Sequence, residues 1–284
     1  DGNGIITTDQ LYAEVNDNCG VNSVVASKLS FDCSNVGLNE VILTVTDASG
    51  NQQMATASVT VRDVTEPVVI TKSITVVLDN NGNASISPDE VDNNSIDACG
   101  IQSRSLDKTS FSCSDIGENV VTLTVIDLNG NQSQAAATVT VKDESAPLVL
   151  TKEANLVLDE NGNAILTPAD IDNGSTDACG IQSRRLDRSS FNCEDIGENT
   201  VTLTVVDNHG NENEATAIVT VVDETAPEIL PKNVTVDLDV NGNVTITKEQ
   251  LFDQVNDNCK VSSIVASKLN FDCNNIGVNE VIIT

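Results

Sequence analysis

The sequence predicts an all-β protein built of tandem sandwich repeats of equal length, each with its own core. Three observations carry this. Cysteines fall at 19 and 33, 99 and 113, 179 and 193, and 259 and 273, so one spacing within pairs recurs at a constant period of eighty. Phe31, Phe111, Phe191 and Phe271 precede the second cysteine of each pair by two, and Gly37, Gly117, Gly197 and Gly277 follow it by four. Val, Ile, Thr, Asn and Asp dominate, aromatic residues make up 2% and Trp is absent, which is strand and turn composition over a thin aliphatic core. A fixed period without insertion marks an array. A unit this long can own a core, unlike the shorter units of solenoids, so the expected form is beads on a string that make an extended rod.

Pro67, Pro147 and Pro227 open successive repeats. Residues 67–146 and 147–226 then read as whole repeats, 1–66 as a partial repeat missing its first strand, and 227–284 as a partial repeat stopping before its last. With no initiator Met, signal peptide or run of 18 apolar residues, the expectation is a segment of a much longer protein. Repeat 1 is most like repeat 4 (Val15-Asn-Asp-Asn-Cys19 and Val255-Asn-Asp-Asn-Cys259), and repeat 2 is most like repeat 3.

Within residues 67–146 the elements read in order. Ile74 to Leu78 is a strand, and Asp79-Asn-Asn-Gly-Asn83 a tight turn into a second short strand at Ala84. Ser87-Pro-Asp-Glu90 has a capping Ser, a Pro at the first helical position and a Glu to close a capping box, so a single helical turn is expected there. Ile101 to Leu106 and Thr109 to Cys113 follow as strands. Val121-Thr-Leu-Thr-Val125 and Ala137-Thr-Val-Thr-Val141 alternate apolar and polar residues, as half-buried strands do. Asp127-Leu-Asn-Gly-Asn131 between them is a hairpin turn. About seven short strands per repeat predict an immunoglobulin-like β-sandwich, with Phe111, Val121, Leu123, Val125, Val139 and Val141 in its core.

Charge narrows the class. Forty-three acidic against 14 basic residues give a formal charge of −29, which repels nucleic acid and anionic membranes and suits divalent cations. Eight cysteines with one histidine point to disulfides rather than zinc, and so to an extracellular, oxidising setting. Pairing within each repeat is expected: Cys19–Cys33, Cys99–Cys113, Cys179–Cys193 and Cys259–Cys273. Only that scheme gives every bead the same local closure without joining separate domains.

Catalytic chemistry is scarce. His209 lies in a turn where the other repeats carry Ser49 and Asn129, so it reads as a turn residue. No Ser-His-Asp or Cys-His arrangement can be assembled, and no enzyme is expected. The acidic loops are more suggestive. Asp79, Asn81 and Asn83 are explained by turn formation. In a sandwich, however, Asp172 and Asp177 share a pole with the Asp207 turn, and the linker residue Asp143 arrives there. Asp63, Asp92, Asp97 and Asp127 repeat the set one junction earlier. The loops are read as having no Lys or Arg nearby in sequence to neutralise them. Two readings stand side by side: a calcium ion held by carboxylate oxygens at each junction, or solvated acidic turns.

The residues also carry a resemblance. Thr46-Asp-Ala-Ser-Gly-Asn51 before a Val/Thr-rich strand, followed by Asp63-x-x-x-Pro67, resembles hyaline-repeat (HYR) and related immunoglobulin-like modules. Thr167-Pro-Ala-Asp-Ile-Asp-Asn-Gly-Ser-Thr-Asp-Ala-Cys-Gly180, with Ser190-Phe-Asn-Cys-Glu-Asp-Ile-Gly197, is similar to repeats of giant secreted surface proteins of Bacteroidota, gliding-motility adhesins among them. The resemblance covers the whole chain. Repeats 1 and 4 depart from it at Tyr12-Ala-Glu-Val15 and Phe252-Asp-Gln-Val255. It implies a structural stalk or filament segment of a cell-surface adhesin, its partners being neighbouring repeats of the same chain. A second function class is a binding module for polysaccharide or a cell-surface partner. The lack of Trp and the core placement of Phe speak against that, because sugars are usually gripped by exposed aromatics. A third is an accessory array beside a secreted hydrolase.

Overall fold

The alternation around Val121 extends to a long strand, Gly117–Asp127, paired antiparallel with Gln132–Lys142. A period of two places Val121, Leu123, Val125, Val139 and Val141 on one face, where each is at most 1% exposed. Ile101–Leu106 pairs antiparallel with Gly117–Asp127, and Ile74–Val77 pairs in parallel with Gln132–Lys142. The result is a four-stranded sheet ordered 74–77, 132–142, 117–127, 101–106.

A thinner layer covers the apolar face. Asn83–Ser85 pairs with Ser110–Ser112, and the helical turn Pro88–Val91 follows the first of these. Its start is as the sequence predicts, with Pro88 in the first turn and the Ser87 N–H donating to the Glu90 carboxylate at 2.6 Å. Leu78, Ile86, Val91 and Phe111 of this layer are all buried. The Lys108 ammonium lies 4.8 Å from the Phe111 ring centroid, as does the Arg188 guanidinium, at 4.4 Å, from that of Phe191. A cation over an aromatic face is favourable and closes the solvent side of the core.

The structure, a computed structural model, describes residues 2–284. They form two compact units, Asp1–Glu144 and Ser145–Thr284. The second unit repeats the arrangement, with a sheet ordered 154–157, 212–222, 197–207, 181–186 and the helical turn Pro168–Ile171. Its core packs Leu158, Leu166, Ile171 and Phe191 against Val201, Leu203, Val205, Val219 and Val221. In residues 2–66 the strands Val21–Ala26, Gly37–Asp47 and Gln52–Val61 make a three-stranded sheet. In residues 227–284 two short pairs form, Glu228–Pro231 with Phe252–Asn256 and Asn243–Thr245 with Asn270–Asp272.

The chain is therefore all-β, in tandem repeats. One element falls short of the expected seven strands. The segment after Pro67 makes only two isolated bridges, Val68 with Ile96 and Thr71 with Asp92. Between its would-be partners, Asn94 adopts a left-handed conformation (φ 61°), which breaks the extended backbone a ladder needs. Among the described residues no helix is long and apolar enough to cross a membrane.

Candidate functional site at the repeat junction

The cysteines do not close within repeats. Cys33 bonds Cys99 and Cys193 bonds Cys259, each across 66 residues. Cys113 and Cys179 are disulfide-bonded too, while Cys19 and Cys273 are exposed free thiols. All four expected pairings, Cys19–Cys33, Cys99–Cys113, Cys179–Cys193 and Cys259–Cys273, are thereby overturned. The reason is polarity along the sandwich. Cys99 precedes Ile101, which pairs with Asp127 at the hairpin end of the sheet. Cys113 lies beside Gly82 in the 79–83 turn, and that turn follows Leu78, whose N–H donates to the Lys142 carbonyl at the far end of the 132–142 strand. Eleven extended residues span roughly 35 Å, far beyond the ~7 Å Cα separation a disulfide bridges. Within each unit the second cysteine of one repeat instead meets the first of the next.

The meeting point is built by a turn. In Asp159–Asn163 the Asp159 N–H donates to the Asn163 carbonyl at 2.8 Å, and Gly162 takes φ 74°. A Cβ on Gly162 would lie 2.6 Å from Cys193 Sγ and 2.7 Å from the Asn258 carbonyl oxygen, so only glycine lets the disulfide and the next repeat's loop approach. Asn258 then donates from its side chain to the Asp159 carbonyl (2.9 Å) and to an Asp223 carboxylate oxygen (3.1 Å). Cys259 packs against the core of the preceding repeat. Gly162, Asp159 and Asn258 were not singled out from the sequence. The signal was a glycine at a constant distance ahead of each second cysteine: Gly2 before Cys33, Gly82 before Cys113, Gly162 before Cys193 and Gly242 before Cys273.

The acidic residues separate into three kinds. Asp63 and Asp97 come together, with carboxylate oxygens within 4.8 Å of each other and of the Cys99 sulfur. That sulfur is held in a disulfide, so the two carboxylates are the groups there that could hold a hard cation. Asp63 Oδ2 is buried and accepts no hydrogen bond among the described residues. Asp177 and Asp207 are likewise within 4.8 Å in the second unit. Asp143 is buried at the end of the first unit.

Asp127 and Asp207 organise hairpin turns. One oxygen of Asp127 accepts the backbone N–H groups of Asn129 and Asn131, both at 2.8 Å, and the other accepts the Asn131 side-chain amide at 2.7 Å. Asp207 does the same with Asn211 and the backbone N–H of His209, which places His209 in the turn as expected. Asp92 and Asp172 are the third kind. Each is paired with an arginine, Arg104 at 3.0 Å and Arg184 at 2.8 Å, and each also accepts a serine N–H, from Ser95 and Ser175. The reading that no Lys or Arg is near enough to neutralise these loops is corrected here. The arginines stand twelve positions after the aspartates they pair, on the 101–106 and 181–186 strands that follow the loop. In Asp92 and Asp172 one carboxylate oxygen faces the arginine and the other accepts from the serine.

Burial pushes the Asp127 carboxyl up, but hydrogen bonds from the Asn131 side chain and from backbone amides outweigh it and hold the group below the usual carboxylate range. Asp207 is held low in the same way, burial being outweighed by Asn211 and His209. A depressed folded pKa gives stability that is present above the unfolded value of about 3.9 and is lost as pH falls below it. Acid unfolding should therefore set in below about pH 4. Asp127→Ala should abolish that part of the acid dependence and cost about 1–3 kcal/mol, since it leaves the part-buried amide donors of the turn unpaired. Hydrogen exchange of the Asn129 and Asn131 amides across pH checks both.

Among solved structures, the chain is similar to protocadherin gamma B7 extracellular cadherin domains 1–4, with TM-score 0.34, 13% identity, and coverage of 86% of this chain and 77% of that one. It is also similar to the protocadherin gammaB4 extracellular domain, with TM-score 0.33, 15% identity, and coverage of 92% of this chain and 46% of that one. Mouse cadherin-23 EC22-24 matches with TM-score 0.31 and 13% identity, over 68% of this chain and 77% of that one. Superpositions this loose carry nothing about activity or ligands. No protein-family model matches the chain. No curated protein matches it.

Proposed function

We propose that the chain is a structural segment of a large secreted cell-surface adhesin, a non-enzymatic stalk or filament that extends and displays adhesive regions, with gliding motility as its setting. The observation that carries this is the double joining of successive repeats, once by the main chain and once by a disulfide at Cys33–Cys99 and again at Cys193–Cys259. A covalent brace between neighbours serves spacing and strength, and disulfides suit a segment that works outside the cell. The partners are then neighbouring repeats of the same chain. The test is display. A tip of known affinity carried on one, two or four copies of the chain at a bacterial surface should reach a partner at a distance that grows with copy number. Direct binding of the tipless chain to surface polysaccharide or cells, with no dependence of reach on length, would favour the binding-module reading instead. Burial of Phe31, Phe111 and Phe191 removes three of the six aromatics such a module could use.

Calcium belongs to the same proposal. Two carboxylates, one with an orphaned buried oxygen, suit a hard cation whose remaining oxygens come from water. The residues that would hold it are Asp63 and Asp97, fewer than the four aspartates expected per junction. At the junction within the second unit, the Asn258 amide already donates to Asp223, so binding there should be weaker. Calorimetric titration of the chain with calcium should show a site that the D63N/D97N variant loses. Identical titrations for both proteins would leave these aspartates as solvated turns.

A further inference from the structure

Cross-repeat disulfides change which part of the chain can stretch. Cys33–Cys99 closes off residues 34–98, and Cys193–Cys259 closes off residues 194–258. The first closed segment holds the strands Gly37–Asp47, Gln52–Val61, Ile74–Val77 and Asn83–Ser85 with the Pro88–Val91 turn. The second holds the 197–207 and 212–222 hairpin, which supplies the most buried valines of its repeat.

We infer that these disulfides are the tension-bearing path of the array, so that pulling on the chain bypasses the central hairpin of a repeat and the first elements of its successor. Force arriving along the main chain at Cys33 passes through the sulfur–sulfur bond to Cys99, whose Cα is 5.1 Å away, rather than around the 66-residue detour. It leaves along Ile101–Leu106, a strand held by its antiparallel ladder to Gly117–Asp127. The hairpin 37–47/52–61 lies off the covalent path, held to it through the ladder with Val21–Ala26, and even if it melts it adds no length between the ends. The inference takes the structural-segment reading one step further, but connectivity alone carries it, whatever the array displays.

The test is single-molecule extension of the full chain, tethered at both ends under non-reducing conditions. The C33S/C99S variant should reach a contour length about 230 Å greater than the wild type, because the 66 residues of the closed segment are released at ~3.5 Å each. Adding a phosphine reductant to the stretched wild-type chain should give steps of the same size. That measurement does not depend on whether the variant folds. Equal lengths for wild type and variant would overturn the inference. So would a C19S variant that lengthens by about 50 Å, the reach of a closure between Cys19 and Cys33. Either result would leave the display test of the structural role standing.

Discussion

Phe111→Ala should destabilise its repeat by about 3–5 kcal/mol, the range for truncating a fully buried Phe. Phe111 is 2% exposed, sits in the thin layer opposite the sheet, and is one of few large side chains that layer contributes. The surroundings collapse poorly around the void, because Val121, Leu123 and Val139 are fixed by a continuous ladder. Loss of the ring also strips Lys108 of its aromatic contact, although its ion pair with Asp115 at 2.6 Å remains. The measurement is hydrogen exchange of the Gly117–Asp127 and Gln132–Lys142 amides in the full chain. The expected loss of protection should centre on residues 67–146. A change below ~1 kcal/mol, against the range for a buried ring, would show that the second layer tolerates the gap and that the sheet is held by its own aliphatic side chains.

Breaking Cys33–Cys99 should cost about 4 kcal/mol, from the chain entropy of a 66-residue loop. The same model gives about 3 kcal/mol for a closure as short as Cys19 to Cys33, so the longer link is also the stronger one. It constrains two repeats together, and unfolding either one must open the junction where Gly2 lies against the Cys33 sulfur and Ala98. Denaturant unfolding of the C33S/C99S variant against wild type should show the loss in both repeats of the first unit. Non-reducing peptide mapping should recover Cys33 with Cys99 and Cys193 with Cys259. An unchanged midpoint would mean that the junction contributes spacing without stability.

Whatever repeats or alternates was legible in the amino-acid order. The constant period, the strand faces of Val121–Val125 and Val139–Val141, the Ser87 capping box and the Asp127 hairpin are local features. A strand's period of two and a cap's reach of three positions are written in consecutive residues. The glycine at 162 was legible as a turn residue, but not as the floor under a disulfide.

Which distant groups meet depended on packing. Each repeat's two cysteines are close in sequence but at opposite ends of a sandwich, so proximity along the chain misled, and the near partner was the neighbour's cysteine, 66 residues on. The aspartates show the same rule. Asp92 and Asp127 look alike in composition, yet Asp92 faces Arg104 across the sheet edge and Asp127 spends its oxygens on its own turn. That leaves Asp63 and Asp97, from different repeats, to face each other. Charge and thiol chemistry act through space over a few ångströms, and only the stacking of one repeat's pole on the next fixes those distances.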